Sequence, residues 1–195
     1  MQNNKHKKGL IVNYFKPSIY VRSFKDVNLN LLKEQGIKMM ICDLDNTLVP
    51  HYTRFPNKEV LRFLEAVKQY GIKFVVVSNN TKKRVSVFCN KAKIKHYKGN
   101  AKKPLKSSVL NIMKESGFEP KETIIMGDMI ITDILIANRM KIESILVQPL
   151  VSTDYKMSAT HMFLENVIYK KLEKKNILKR GQYSSGHLET SFELL

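Results

Sequence analysis

Hydrophobic and polar positions along this chain follow two alternating rhythms. Short, largely apolar runs at Ile37–Cys42, Ile72–Val77, Ile94–Tyr97, Thr123–Met126 and Ile142–Val147 each stop abruptly at polar or turn-forming residues. Such runs predict buried strands that deliver polar groups to a sheet edge. Between them the spacing turns helical. Val60, Leu61, Leu64 and Val67 fit a helix over Lys58–Tyr70, with Asn57 as its N-cap and Gly71 closing it. A second helix is expected from about Thr81 to Ala92, and a third from Pro104, whose fixed φ suits a first turn, to Ser116 before Gly117.

A last helix over Ala159–Arg180 would turn Phe163, Val167 and Leu172 inward, with Lys170, Lys171, Lys174, Lys175, Lys179 and Arg180 largely outward. Strands alternating with helices imply right-handed crossovers and a parallel sheet covered on both faces, a doubly wound α/β fold. The chain then divides in three. Residues 1–36 form a basic and aromatic segment packed on the domain, residues 37–180 the α/β domain, and residues 181–195 a tail without Lys or Arg that is expected to be mobile. Within the first segment Met1–Lys8 is polar and basic, and Leu10–Val21 mixes aromatic and aliphatic residues around Pro17. That stretch reads either as an entry segment packed across the domain or as an interfacial contact, with Lys16 and Arg22 near lipid phosphates.

The chemistry centres on Ile41-Cys42-Asp43-Leu44-Asp45-Asn46-Thr47, where an apolar strand ends in two carboxylates one residue apart. Strand alternation would place Asp43 and Asp45 on one side and Leu44 on the other. Two close like charges are costly unless a cation or a proton relieves them, so a divalent metal is the first inference. Ser78 and Asn79 follow the second strand, Asp128 follows a later one, and Lys103 enters at a helix start. In an open parallel sheet these ends share one edge, where such folds bind ligands.

Composition adds a partner class. The 195 residues carry a formal net charge of +17 with 43% hydrophobic content, enough for a sizeable core. That balance suggests nucleic acid, an acidic membrane surface or phosphorylated substrates, or else a lysine-rich composition with no partner behind it. Two cysteines, Cys42 and Cys89, make no disulfide framework and read as reduced cytosolic thiols. No apolar run approaches the roughly 20 residues that span a bilayer, and no signal-peptide core is present at the N-terminus. A soluble cytoplasmic protein, or one peripheral at the inner membrane face, is expected.

The order of these groups resembles the four sequential motifs of the haloacid dehalogenase (HAD) superfamily of phosphohydrolases. The resemblance runs through Asp43-Leu44-Asp45-Asn46-Thr47, Ser78, Lys103-Pro104 and Gly127-Asp128-Met129-Ile130-Ile131-Thr132-Asp133, and covers Ile37 to Val147. More narrowly, Ser78-Asn79-Asn80, Ala101-Lys102-Lys103-Pro104 and Asn138-Arg139 resemble the YqeG-type subfamily IIIA phosphatases, which are related to mitochondrial phosphatidylglycerophosphate phosphatases. Singly, each motif has a plainer reading: a solvated turn for Asp-x-Asp, a helix cap for Ser78 or Asp133, a surface side chain for Lys103 or His51. Their order lifts them.

The resemblance implies roles. Asp43 would be the nucleophile that forms an aspartyl-phosphate, and Asp45 the general acid and base. Mg²⁺ would be held by the Asp43 carboxylate, the Asp45 backbone carbonyl and Asp128, with Asp133 orienting metal-bound water or Lys103. The Ser78 hydroxyl and the Asn79 backbone N–H would hold phosphoryl oxygens while Lys103 offsets charge. Lys102 is adjacent, and Lys103 is preferred because it directly precedes Pro104.

Val49 to Gly71 and Asn80 to Ala101 each hold only one helix, so no cap domain fits. An open cleft suits a phosphate carried by something large. The expected function is a Mg²⁺-dependent phosphomonoester hydrolase acting on phosphatidylglycerophosphate at the inner membrane face. Two alternatives stay open: a nucleotide or nucleic-acid end phosphatase, and a basic RNA- or ribosome-binding module that keeps the fold.

Overall fold

The structure is a computed structural model that describes residues 13–151 and 159–184. Six strands form one all-parallel sheet in the order β1-β6-β5-β2-β3-β4. They are β1 (Ile19–Val21), β2 (Met39–Cys42), β3 (Lys73–Val77), β4 (His96–Lys98), β5 (Thr123–Gly127) and β6 (Glu143–Val147). The helices are α1 (Leu29–Glu34), α2 (Lys58–Gln69), α3 (Lys82–Lys91), α4 (Ser107–Ser116), α5 (Leu135–Met140) and α6 (Ala159–Lys174). The chain winds outward from β2 through β3 to β4, then returns to place β5 on the other side of β2. That reversal is the topological switch point, the crevice where such sheets bind ligands.

Every residue of β2 and β5 is buried, which is why these strands read as unbroken apolar runs. Alternation splits them between two cores. Met40, Cys42, Ile124 and Met126 join the cluster containing Val60, Phe63 and Val67 of α2 and Phe88 of α3, whereas Met39, Ile41 and Ile125 join Val109 and Ile136 of α4 and α5. A third cluster seats Ile168, Tyr169 and Leu172 of α6 on Tyr20, Leu146 and Ile130. One helix bridges β2 to β3 and one bridges β3 to β4, so no cap domain is inserted over the switch point among the described residues.

Several boundaries differ from the sequence reading. The third helix begins at Ser107 and not at Pro104, because Leu105 N–H first closes a turn onto the Lys102 carbonyl. The last helix stops at Lys174, short of Arg180, with Asn176 left-handed at φ 53° just beyond it. Phe163 is 70% exposed and not inward. The inward stripe of α6 is Glu165, Ile168, Tyr169 and Leu172, and Phe163 sits about 200° round the helix from Glu165. An acid on the buried face shifted the apparent phase of the apolar pattern.

Ile19, Tyr20 and Val21, part of the candidate interfacial stretch, are buried in the sheet as β1, leaving Tyr14 exposed. Phe24, Val27, Leu29 and Leu32 continue into the main core. The polar start at Met1–Lys8 and the tail beyond Ser184 lie outside the described residues.

Phe63 ties the opening segment to the sheet, its fully buried ring 5.1 Å from Phe24 and 6.2 Å from Phe74. Phe63→Ala is expected to cost about 3–5 kcal/mol. Urea unfolding should show a lower midpoint with an unchanged slope.

Candidate active site

Neighbouring strands at the switch point bring two acids together. Cys42 pairs with Met126, and Asp43 N–H extends the ladder to the Met126 carbonyl at 2.9 Å. Asp43 and Asp128 therefore leave the sheet side by side. With Asp45, Ser78, Asn79, Lys103 and Asp133 they line one cavity of about 330 Å³, which His51 and His161 also border. Asn46 adopts a left-handed φ of 63° and turns the chain back, its N–H reaching the Val49 carbonyl at 2.7 Å. The Thr47 hydroxyl donates to Asp128 Oδ1 at 3.2 Å, tying the first acidic loop to the last.

Lys103 is buried while Lys102, left-handed at φ 56°, stays exposed. Lys103 Nζ lies 2.7 Å from Asp43 Oδ1 and 2.6 Å from Asp133 Oδ1. Its backbone is clamped by Asn79: Lys103 N–H donates to Asn79 Oδ1 at 2.6 Å, and Asn79 Nδ2 donates to the Lys103 carbonyl at 3.0 Å. Asp133 Oδ2 accepts from the Thr132 hydroxyl at 3.1 Å and from Met129 N–H at 3.3 Å. Both Asp133 oxygens are thus engaged, an arrangement that braces Lys103. Gly127 makes room for this, since a Cβ there would sit 2.2 Å from Asp133 Cγ.

Asp45 faces the same cavity under different restraint. Arg84 Nη2 reaches Asp45 Oδ1 at 2.9 Å and the Thr53 carbonyl at 2.6 Å, and Asn80 Nδ2 reaches Asp45 Oδ2 at 2.6 Å. Arg84 was not singled out from the sequence. Its only cue there is a position in the first turn of the helix that follows Ser78-Asn79-Asn80. Ser78, almost wholly buried, accepts the Asn80 N–H on its Oγ at 3.2 Å.

Three buried carboxylates face one buried ammonium. Burial pushes Asp43 up to about 7 against the pull of Lys103, and the charges of Asp133 and Asp45 add to the rise. Asp128 is held well above the usual carboxylate range by burial and by Asp43 and Asp133. Burial lowers Lys103, but Asp133 and Asp43 outweigh it and keep the ammonium charged. Surplus buried negative charge beside oxygen donors is what a hard divalent cation relieves, so the residues fit one. No three His, Cys, Asp or Glu side chains among the described residues form a metal cluster by themselves. An ion at Asp43 and Asp128 would complete its shell from backbone, water and substrate oxygens, as Mg²⁺ commonly does.

The doubly wound sheet, with these acids at its switch point, is that of a HAD-type phosphatase, a phosphoric monoester hydrolase. The family model described as mitochondrial PGP phosphatase matches residues 6–152, and the chain belongs to that family. "Probable phosphatase YqeG" of Bacillus subtilis (strain 168) is 30% identical over 167 residues, covering 85% of this chain and 96% of that relative. An uncharacterized protein from Listeria monocytogenes serotype 4b shares the fold at a TM-score of 0.50 and 21% identity, over 63% of this chain and 87% of that one. No helix among the described residues is long and apolar enough to cross a membrane.

Asp43 binds its proton more tightly folded than unfolded, so between its ordinary value of 3.8 and about 7 the native state holds the extra proton. Metal-free stability must then fall as pH rises through that window. Asp128 and Glu165, both raised by burial, add in the same direction. Urea midpoints in EDTA are expected to be lower at about pH 8 than at about pH 5, with a smaller drop in Asp43→Asn. A wild-type midpoint that rises over this range would contradict the account.

Proposed function

We propose that this protein is a Mg²⁺-dependent phosphomonoester hydrolase that works through an aspartyl-phosphate on Asp43. Its substrate is a phosphate presented by a large, membrane-held molecule, with phosphatidylglycerophosphate the leading candidate. The observation that carries the reading is the Lys103 ammonium, held between Asp43 and Asp133 at the floor of an uncapped cleft.

On this reading the Ser78 hydroxyl and the Asn79 backbone N–H hold phosphoryl oxygens, and Lys103 balances their charge. The Asp43 oxygen not engaged by Lys103 attacks phosphorus, and the bond to the alkyl oxygen breaks. Asp45 protonates the departing alkoxide, then takes a proton from the water that attacks the aspartyl-phosphate, releasing inorganic phosphate and restoring Asp43. Arg84 and Asn80 each hold one Asp45 oxygen and so orient the carboxyl group for acid duty. Mg²⁺, held by the Asp43 carboxylate, the Asp45 carbonyl and Asp128, would supply charge neutralisation at the phosphoryl oxygens.

The substrate class is supported by the rim of the cleft. Tyr52 and Phe55 follow β2, Leu105 follows β4, Leu150 follows β6, and Phe163 and Leu164 stand two and three residues after the cleft-lining His161; all are exposed. Exposed Arg54 and Lys102 share these loops. Apolar side chains interleaved with cations around an open site suit an anionic bilayer surface, where rings and aliphatic groups enter the interface and cations meet phosphates. Membership of the mitochondrial PGP phosphatase family supports the same substrate class.

Purified protein in Mg²⁺ should hydrolyse phosphatidylglycerophosphate in vesicles in preference to nucleoside monophosphates or 5′-phosphorylated DNA. A clear preference for either nucleic substrate would overturn the lipid assignment. Asp43→Asn should lower turnover of every monoester by a factor on the order of 10³ or more, with an unchanged circular dichroism spectrum. The double variant Phe163→Ser, Leu164→Ser should lose turnover on vesicles while keeping that on p-nitrophenyl phosphate; an equal loss on both would remove the interfacial role of the rim.

A further inference from the structure

The family match ends at residue 152, yet a side chain of α6 reaches back into the loop that carries the last two acids. Glu165 is only 9% exposed. Its Oε1 accepts Ile130 N–H at 2.7 Å, and its Oε2 accepts Ile131 N–H at 3.1 Å. Those donors open the π-helical turn Ile130–Ile134, which follows Asp128 and contains the Lys103 partner Asp133. The opening N–H groups of a helical turn have no partner inside it. Here carboxylates take them in succession: Met129 N–H goes to Asp133 Oδ2, and the next two go to Glu165.

The Met129 carbonyl closes this turn twice, accepting Asp133 N–H at 3.0 Å and Ile134 N–H at 3.4 Å, so the backbone of Asp133 is fixed within the turn whose opening amides Glu165 holds. A buried acid is a costly way to fill a core position, and burial pushes Glu165 up to about 7 despite the two N–H bonds. Arg180 faces it from beyond the helix, held over the Tyr169 ring at 4.3 Å and by Asn166 Oδ1 at 2.9 Å.

We propose that Glu165 is a positioning residue: by holding the Ile130–Ile131 amides it fixes the Asp128–Asp133 turn in the shape that presents Asp128 to a divalent cation and Asp133 to Lys103. The inference rests on the reading of the site as a divalent-cation site. It assigns a function-bearing role to a helix that lies outside the stretch matched by the family model.

The test is calorimetric titration of Mg²⁺, with Mn²⁺ as a second probe, into the substrate-free full chain. Wild type, Glu165→Ala and Glu165→Gln are compared, and folded fractions are measured in parallel by circular dichroism. Glu165→Ala is expected to weaken cation binding about tenfold, the size seen when a group behind a metal ligand is removed. Glu165→Gln keeps the shape and one acceptor and should recover part of that loss. At saturating cation, the KM of the variants for p-nitrophenyl phosphate should stay within about twofold of wild type, since Ser78 and Asn79 are untouched. If Glu165→Ala does not fold, the Glu165→Gln comparison decides. Wild-type cation affinity in a folded variant, or a loss that merely follows the unfolded fraction, would overturn the positioning role. Failure of the wild type itself to bind either cation would instead overturn the reading of the site on which it rests.

Discussion

A charged amine withdrawn from water needs partners at close range, and Lys103 has two, 2.7 and 2.6 Å away. One comes from the end of β2 and the other from the turn after β5, so the ammonium pins together the two sides of the switch point. Removing one member of such a buried set leaves an uncompensated charge, a loss of about 3–5 kcal/mol. The arrangement does not balance, because Asp128 adds a third buried carboxylate to the two that Lys103 serves. Burial and repulsion among the acids make Asp43 and Asp128 hold protons in the metal-free site, and a divalent cation would take the protons' place. Much of the surrounding detail keeps the set in register: Asn79 clamps the lysine backbone, Thr47 ties Asp128 to the first loop, and Gly127 clears space for Asp133.

The two acids of the opening motif lie one residue apart and meet different surroundings. Asp43 sits against Lys103 in the interior, where burial favours its neutral form. Asp45 is half-buried and spanned by Arg84 and Asn80, both contributed by the segment after β3. Restraint from that segment couples the position of Asp45 to the loop carrying Ser78 and Asn79. Single helices make the crossovers on either side of β3, so among the described residues no inserted domain stands over these groups.

Strands β2, β3 and β5 were legible because they are buried on both faces and stop at polar residues, a signal that needs no knowledge of neighbours. Their order in the chain was enough to align Asp43, Ser78, Lys103 and Asp128 on one edge, since parallel strands share a direction. Other features had no local signature. β1 is three residues long and is a strand only because β6 offers it a partner. The last helix departs from its apolar pattern for a related reason: Glu165 occupies a core-facing position that periodicity assigns to apolar residues, and Phe163 faces outward.

The sequence by itself determined which groups could do chemistry and that they would share an edge, because strand termini are written in local hydrophobic pattern. Only the tertiary structure decided which group touches which. Lys103 joins Asp43 to Asp133, Arg84 takes Asp45, and Glu165 reaches Ile130 and Ile131 across 35 and 34 residues. Such contacts follow from how loops and helix faces fall once the sheet is assembled, and a buried charge accepts whichever partner that packing brings within about 3 Å.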